Sequence, residues 1–156
     1  MCPFNYLEIT MKSKLTIAFS PLVLLSALAF GQPAQVLRDL ESKQPSTLSK
    51  DELQQLLPGA TMRRMSARGN AQSWSNDASG SFVVTSDNRA TGGRNSTAQG
   101  KWHLSGDGRY CIMIEWKSVD TEEWCRFVIK TTDGYYTTKS DKTGTEKVYK
   151  LDITGK

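Results

Sequence analysis

The stretch "RYCIMIEWKSVDTEEWCRFVIK", residues 109–130, decides how the rest of the chain is read. Its first part alternates: Tyr110, Ile112, Ile114 and Trp116 point one way, and Cys111, Met113 and Glu115 the other. That period of two is the signature of a β-strand. Its last part repeats the pattern, with Cys125, Phe127 and Ile129 on one face and Trp124, Arg126 and Val128 on the opposite one. The polar "KSVDTEE" between them reads as a hairpin loop. A loop centred near Ser118 sets Cys111 directly opposite Cys125. Directly opposed residues in a non-hydrogen-bonded pair approach closely enough for a sulfur bridge.

Whether those sulfurs join depends on the compartment, and "MKSKLTIAFSPLVLLSALAFGQPAQ", residues 11–35, speaks to that. Lys12 and Lys14 supply a basic start, residues 15–30 an apolar run, and Ala29-Phe30-Gly31 the small residues a signal peptidase reads. The run is shorter than the roughly 20 apolar residues of a spanning helix, and Pro21 interrupts it. An uncut membrane anchor is the alternative reading. No cysteine follows the apolar run closely, so the pattern of a bacterial lipid anchor is missing. The ten residues before Met11 have no role in such a signal, and a start at Met11 is the expectation. The expected organisation is a signal peptide over 1–31, a polar leader over 32–47 and a single β-rich domain over 48–156. The expected location is periplasmic or secreted, with no stable membrane anchor after cleavage.

Cleavage near Gly31 leaves Cys111 and Cys125 as the only cysteines. An even count of two in an oxidising compartment reads as one disulfide. Free core thiols are the alternative. A redox site favours a C-x-x-C spacing, which is absent. A zinc site needs three or four ligands, and His103 is the only histidine. Neither a metal nor a cofactor is expected.

The 156 residues suit one domain, and 20 basic against 16 acidic residues leave a mild net charge of +4. The nearest approach to a basic stripe is Arg63, Arg64 and Arg68, soon followed by Asp77 and Asp87. Nucleic acid is therefore not an expected partner. In the leader, Val36, Leu37 and Leu40 suggest weak helicity. "LSKDELQQLLPGAT", residues 48–61, is clearer. Ser49 and Glu52 form a capping box, Leu48 and Leu53 a hydrophobic staple, and Pro58-Gly59 a stop. A short amphipathic helix is expected over 50–57.

Beyond Ala60 the punctuation is that of β structure. Strands are expected at 61–67, 72–76, 80–85, 99–104, 109–116, 123–130, 135–139 and 145–153. Turn-forming Gly, Asn and Asp separate them. Short strands at close spacing indicate an antiparallel meander, closed as a small calycin-like β-barrel or folded as a sandwich. Both faces of the strand carrying Cys111 are apolar, so one lines the interior and the other needs a cover. The 50–57 helix is the expected lid. "TGGRNST", residues 91–97, reads as a flexible loop.

Residues 48–153 resemble the exported proteobacterial family catalogued as domain of unknown function 995. The likeness rests on Gly100 and Trp102, then Asp107, Gly108, Arg109, Tyr110 and Cys111, then Trp116, Glu123, Cys125 and Tyr135. The leader "LSKDELQQLLPGAT" is similar too. The resemblance implies export and a compact β fold. It implies no activity, and no functional residue carries over from it.

Chemistry is sparse. His103 lies on the face of Lys101 and Ser105, which reads as solvent-exposed, and no catalytic residue is expected. Glu115, Glu122 and Glu123 are the candidates for a hydrolytic carboxylate pair, two of them at a hairpin end where charge aids solubility. Trp74, Trp102, Trp116 and Trp124 either fill the core or line a binding surface. Trp124 and Arg126 share a face and can stack at an exposed rim. The leading expectation is a non-enzymatic domain that binds a small apolar ligand or a periplasmic protein partner. The rival is a protein inhibitor or immunity protein against an extracytoplasmic enzyme such as lysozyme. A ligand binder predicts a tryptophan-lined cavity, and an inhibitor a filled core with a protruding charged loop at 87–99.

Overall fold

The computed structural model describes residues 35–117 and 119–155. The signal-peptide reading of residues 1–31 lies outside them. The strands are β1 (Ser46–Thr47), β2 (Thr61–Met65), β3 (Ala71–Ser75), β4 (Ser81–Ser86), β5 (Ser96–Leu104), β6 (Tyr110–Glu115), β7 (Glu122–Thr131), β8 (Gly134–Thr138) and β9 (Val148–Thr154). Helix α1 (Lys50–Leu56) follows β1, and two 3-10 segments span Leu37–Lys43 and Arg89–Thr91. From β2 to β9 each strand pairs antiparallel with the next, and β9 returns to pair with β2 through Thr61↔Thr154, Met62↔Ile153 and Arg63↔Asp152. The meander is therefore a closed eight-stranded barrel, not a sandwich, with β1 as an extra strand. The eight strands expected from sequence correspond to β2–β9. Ser96 and Thr97, expected in a loop, belong to β5.

Closure makes every second side chain an interior one. Leu53, Leu57, Met62, Trp74, Phe82, Val84, Tyr110, Ile112, Ile114, Val128 and Leu151 are all buried in one cluster. The packing is tight enough to require a residue without a side chain. Gly100 stands opposite Phe82 in the β4–β5 ladder, and a Cβ at Gly100 would overlap the Phe82 ring. The ring lies over the glycine and stacks on Trp74, with centroids 5.6 Å apart.

Helix α1 forms as its sequence dictates. Ser49 Oγ accepts from Glu52 N at 3.3 Å, and Glu52 Oε2 accepts from Ser49 N at 2.8 Å. Its place differs from the expectation. Leu53 and Leu57 are wholly buried among Tyr110, Ile112 and Ile114, on the inward side of the barrel. The helix thus plugs the interior and does not lie over the outward face that carries Cys111. An outward face is covered elsewhere: Leu37 and Leu40 of the first 3-10 segment pack on Ile129, Tyr136 and Val148. The physical reason is parity. Ile129 and Tyr136 alternate outward from Val128 and Tyr135, so they need apolar partners outside the barrel.

Strand β7 is long because it serves two neighbours. Residues 122–126 pair with β6, and residues 127–131 with β8. β6 begins at Tyr110, opposite Arg126, so the β7 edge beyond that point would lack a partner. Strand β1 takes that edge through Ser46↔Lys130 and Thr47↔Ile129. Such an edge is costly to leave unpaired. The same region is tied by Lys43, whose Nζ donates to Asp133 Oδ2 at 2.7 Å and to Tyr136 Oη at 3.2 Å. Thr131 Oγ1 donates to Asp133 Oδ1 at 2.7 Å. Lys43 foremost, then Thr131, lowers the Asp133 carboxyl to about 2.

Two predictions follow from these contacts. Gly100→Ala displaces the Phe82 ring and lowers stability by about 1–3 kcal/mol, read as a lower denaturant midpoint. For Asp133, the folded pKa lies below the unfolded value of about 3.9, so its stabilisation is present above that pH and fades as the pH falls towards 2. Asp133→Asn should therefore lower Tm at pH 5–7, and the gap to wild type should close between about pH 4 and pH 2. A gap that persists at pH 2 would refute the Lys43 attachment as its cause.

Candidate functional site

The two ends of the barrel differ in chemistry. Strand alternation puts the β3–β4, β5–β6 and β7–β8 turns at the end where β2 begins, directly after α1. Gly108 of the β5–β6 turn lies against Lys50 there; a Cβ at Gly108 would sit 3.6 Å from Lys50 N. This end holds the α1 plug. Inside it, Trp74 Nε1 donates to Asn76 Oδ1 at 3.1 Å and to Tyr110 Oη at 3.2 Å. The Tyr110 hydroxyl donates to Asn76 Oδ1 at 2.9 Å. Burial pushes the Tyr110 hydroxyl well above the usual phenol range, so it stays neutral.

The opposite end carries the β2–β3, β4–β5, β6–β7 and β8–β9 connections. Charged and aromatic side chains replace the aliphatic ones here. Arg64 and Gln72 face each other across β2–β3, and Arg64 Nε donates to Gln72 Oε1 at 2.9 Å. Arg64 Nη2 reaches across the barrel to Glu122 Oε1 of β7. The Arg64 guanidinium also lies 5.1 Å from the Trp124 ring centre and 5.8 Å from that of Trp74. Trp124 carries a second guanidinium on it, that of Arg126, at 5.0 Å. Arg126 is in turn 4.2 Å from the Tyr149 ring centre. Tyr110 meets Trp124 edge-on at 5.6 Å. The series Trp74, Arg64, Trp124, Arg126 and Tyr149 thus runs from the core to the surface, where Tyr149 is exposed.

Two donors in this series are unsatisfied. Trp124 Nε1 and Arg126 Nε are both buried and have no hydrogen-bond partner among the described residues. Burial, and then the nearby Arg64, push the Arg126 guanidinium below its ordinary value, while Tyr149 and Glu122 act in the opposite direction. An arginine remains protonated even so. The mouth therefore holds a half-buried positive charge beside one carboxylate among the described residues, that of Glu122, already paired with Arg64.

Among the residues singled out from sequence, Trp74, Trp124 and Arg126 come together here. Trp124 and Arg126 do stack, inside the mouth and not on an exposed rim. Trp102 does not join them: it is at the plugged end, where its Nε1 donates to the Asp77 carbonyl at 2.8 Å. Trp116 packs against the core cluster. Arg64, Gln72 and Tyr149 were not picked out as binding residues. Arg64 shares inward parity with Met62, and a charge at an inward position was the available signal. Glu122 and Glu123 face opposite ways, opposite Ile114 and Met113, and so form no carboxylate pair. His103 is exposed and sits opposite Cys111, with ring nitrogen and both sulfurs within 4.8 Å of one another. Those sulfurs are joined to each other, so they offer no thiolate to a metal.

Cys111 and Cys125 are directly opposed in the β6–β7 ladder, with Cα atoms 4.0 Å apart, and form a disulfide. Fold and site define a small closed antiparallel barrel, plugged at one end and lined with arginine and aromatic rings at the other. The chain belongs to the family described as protein of unknown function (DUF995), whose model matches residues 23–150. No curated protein and no solved structure matches it. Replacing both cysteines with alanine should cost roughly 3 kcal/mol, as expected for freeing a loop of about 15 residues. Thermal unfolding of the double variant checks this, and an unchanged Tm would refute it.

Proposed function

We propose that this chain is an exported, non-enzymatic binding domain whose small ligand docks at the arginine- and tryptophan-lined end of the barrel. Export is supported by the three-part leader within residues 11–31 and by the strand-to-strand disulfide, which is at home in an oxidising compartment. The observation that carries the binding reading is Arg126. It is a half-buried cation between Trp124 and Tyr149 with an unused donor at the mouth. Folded proteins seldom retain such a group without a reason, because its desolvation is not repaid within the chain. A ligand held wholly within the barrel is less well supported, since the aliphatic half of the interior is filled with side chains. Two surface depressions, one beside Leu37 and Ile129 and one between Gly59 and Asn76, contain no tryptophan.

A second reading, inhibition of an extracytoplasmic enzyme, is supported by the β4–β5 connection at the same end. Asn88 adopts a left-handed backbone (φ 49°) and donates from Nδ2 to the Arg94 carbonyl at 2.6 Å and to Ser96 Oγ at 2.9 Å. Asn70 Oδ1 accepts from Ala90 N at 3.0 Å. The connection expected to be flexible is thus internally pinned, and it presents an exposed Arg89. Rigid loops of this kind lose little entropy on docking.

Native mass spectrometry of the protein recovered from an exporting host separates the two. Ligand binding predicts a small-molecule adduct on the wild type that Arg126→Met loses while keeping its fold by circular dichroism. Inhibition predicts a captured enzyme, released when residues 88–95 are replaced by a short glycine turn. Wild-type protein without an adduct, together with an Arg126→Met variant that behaves identically, would sink the ligand reading.

A further inference from the structure

We propose that the mouth selects a carboxylate: a small organic molecule that carries a single negative charge. The inference rests on the binding reading above and names the ligand class for the same site.

The charge count comes first. Two guanidinium groups and one carboxylate share the mouth. Arg64 is occupied, by Gln72 and by Glu122. Arg126 has aromatic faces on both sides and no ionic or hydrogen-bonded partner among the described residues. The cluster is left with one uncompensated positive charge, which one negative charge on a ligand balances.

The donors point the same way. The unsatisfied polar atoms of the mouth are Arg126 Nε and Trp124 Nε1, and both are N–H donors. They come from residues two apart on β7, which share its inward face. A ligand that brings acceptor oxygens to this face, as a carboxylate does, complements donors of this kind better than a neutral apolar body. A neutral apolar ligand would leave both donors buried and unpaired, which costs free energy.

Glu122 sets the upper limit on charge. Its side chain is 30% exposed within the same cluster and bound to Arg64. A dianion would bring its second charge towards this carboxylate, and like charges at short range disfavour binding. The rest of the ligand would meet Tyr149, exposed at the outer end of the series, which gives an organic body an aromatic surface to lie on.

The test is titration calorimetry at pH 8 with three probes of similar shape: benzoate, neutral benzamide and dianionic phenylphosphonate. Benzoate should bind at least about tenfold more tightly than benzamide, the margin expected of a charge-assisted pair. Phenylphosphonate should bind more weakly than benzoate, and Glu122→Gln should reverse or erase that order. Trp124→Phe keeps the ring but removes the indole donor, and should weaken benzoate several-fold with benzamide unaffected. Arg126→Met should bring benzoate down to the benzamide level. Benzamide binding as tightly as benzoate, or phenylphosphonate binding more tightly than benzoate in the wild type, would overturn the carboxylate class. Either result would leave binding at the mouth intact, provided Arg126→Met still weakens it. Absence of heat from all three probes at ~10 mM would overturn the carboxylate class; the mouth reading itself then stands or falls with the natively recovered adduct.

Discussion

The three residue pairs that join β9 to β2 turn a twisted ribbon into a closed wall, and the other features of the molecule depend on that closure. Closure gives each strand from β2 to β9 a neighbour on both sides, save the stretch of β7 beyond Arg126, where β1 stands in for β6. Closure also gives the alternation of side chains an absolute meaning. In an open sheet one face can be dry and the other wet. In a small barrel the inward set must fit a fixed volume, and this one fits only because Gly100 makes room for Phe82.

The inward set is not uniform along the barrel axis. Near α1 it is aliphatic and aromatic, with one polar triad of Trp74, Asn76 and Tyr110 whose hydrogen bonds are made internally. At the far end it is Arg64, Gln72, Glu122, Trp124, Arg126 and Tyr149. Apart from Asn76 Nδ2, a buried donor without a partner among the described residues, a stability argument accounts for the first region. It does not account for the second. Placing two guanidinium groups on one indole ring sets like charges near each other and takes Arg64, and part of Arg126, out of water, while Glu122 answers only Arg64. Uneven compensation of this kind sets the far end of the barrel apart from the filled core.

Strand positions were legible because β alternation and turn residues are local signals. The capping box of Ser49 and Glu52, and the Leu48–Leu53 staple, were legible for the same reason: each involves residues three to five apart. β1 escaped notice, since two residues show no pattern and their pairing is dictated by where β6 happens to begin. The place of α1 is not legible in the sequence, because an amphipathic stripe says that a face is buried and is silent on what buries it. The 3-10 segment carrying Leu37 and Leu40 covers a different outward face, that of Ile129, Tyr136 and Val148 on β7, β8 and β9.

The sequence by itself determined where β2–β9 lie, which residues alternate together on each face, and that Cys111 stands opposite Cys125, since those two belong to a local hairpin whose register its own loop sets. It also marked Trp124 and Arg126 as neighbours on one face. Only the tertiary structure decided that Arg64, far away in the chain, would share Trp124 with Arg126, that Glu122 would answer Arg64, and that Tyr149 would close the series. Parity is a property of each strand alone, whereas the meeting of side chains across the interior depends on how many strands close the ring and with what stagger.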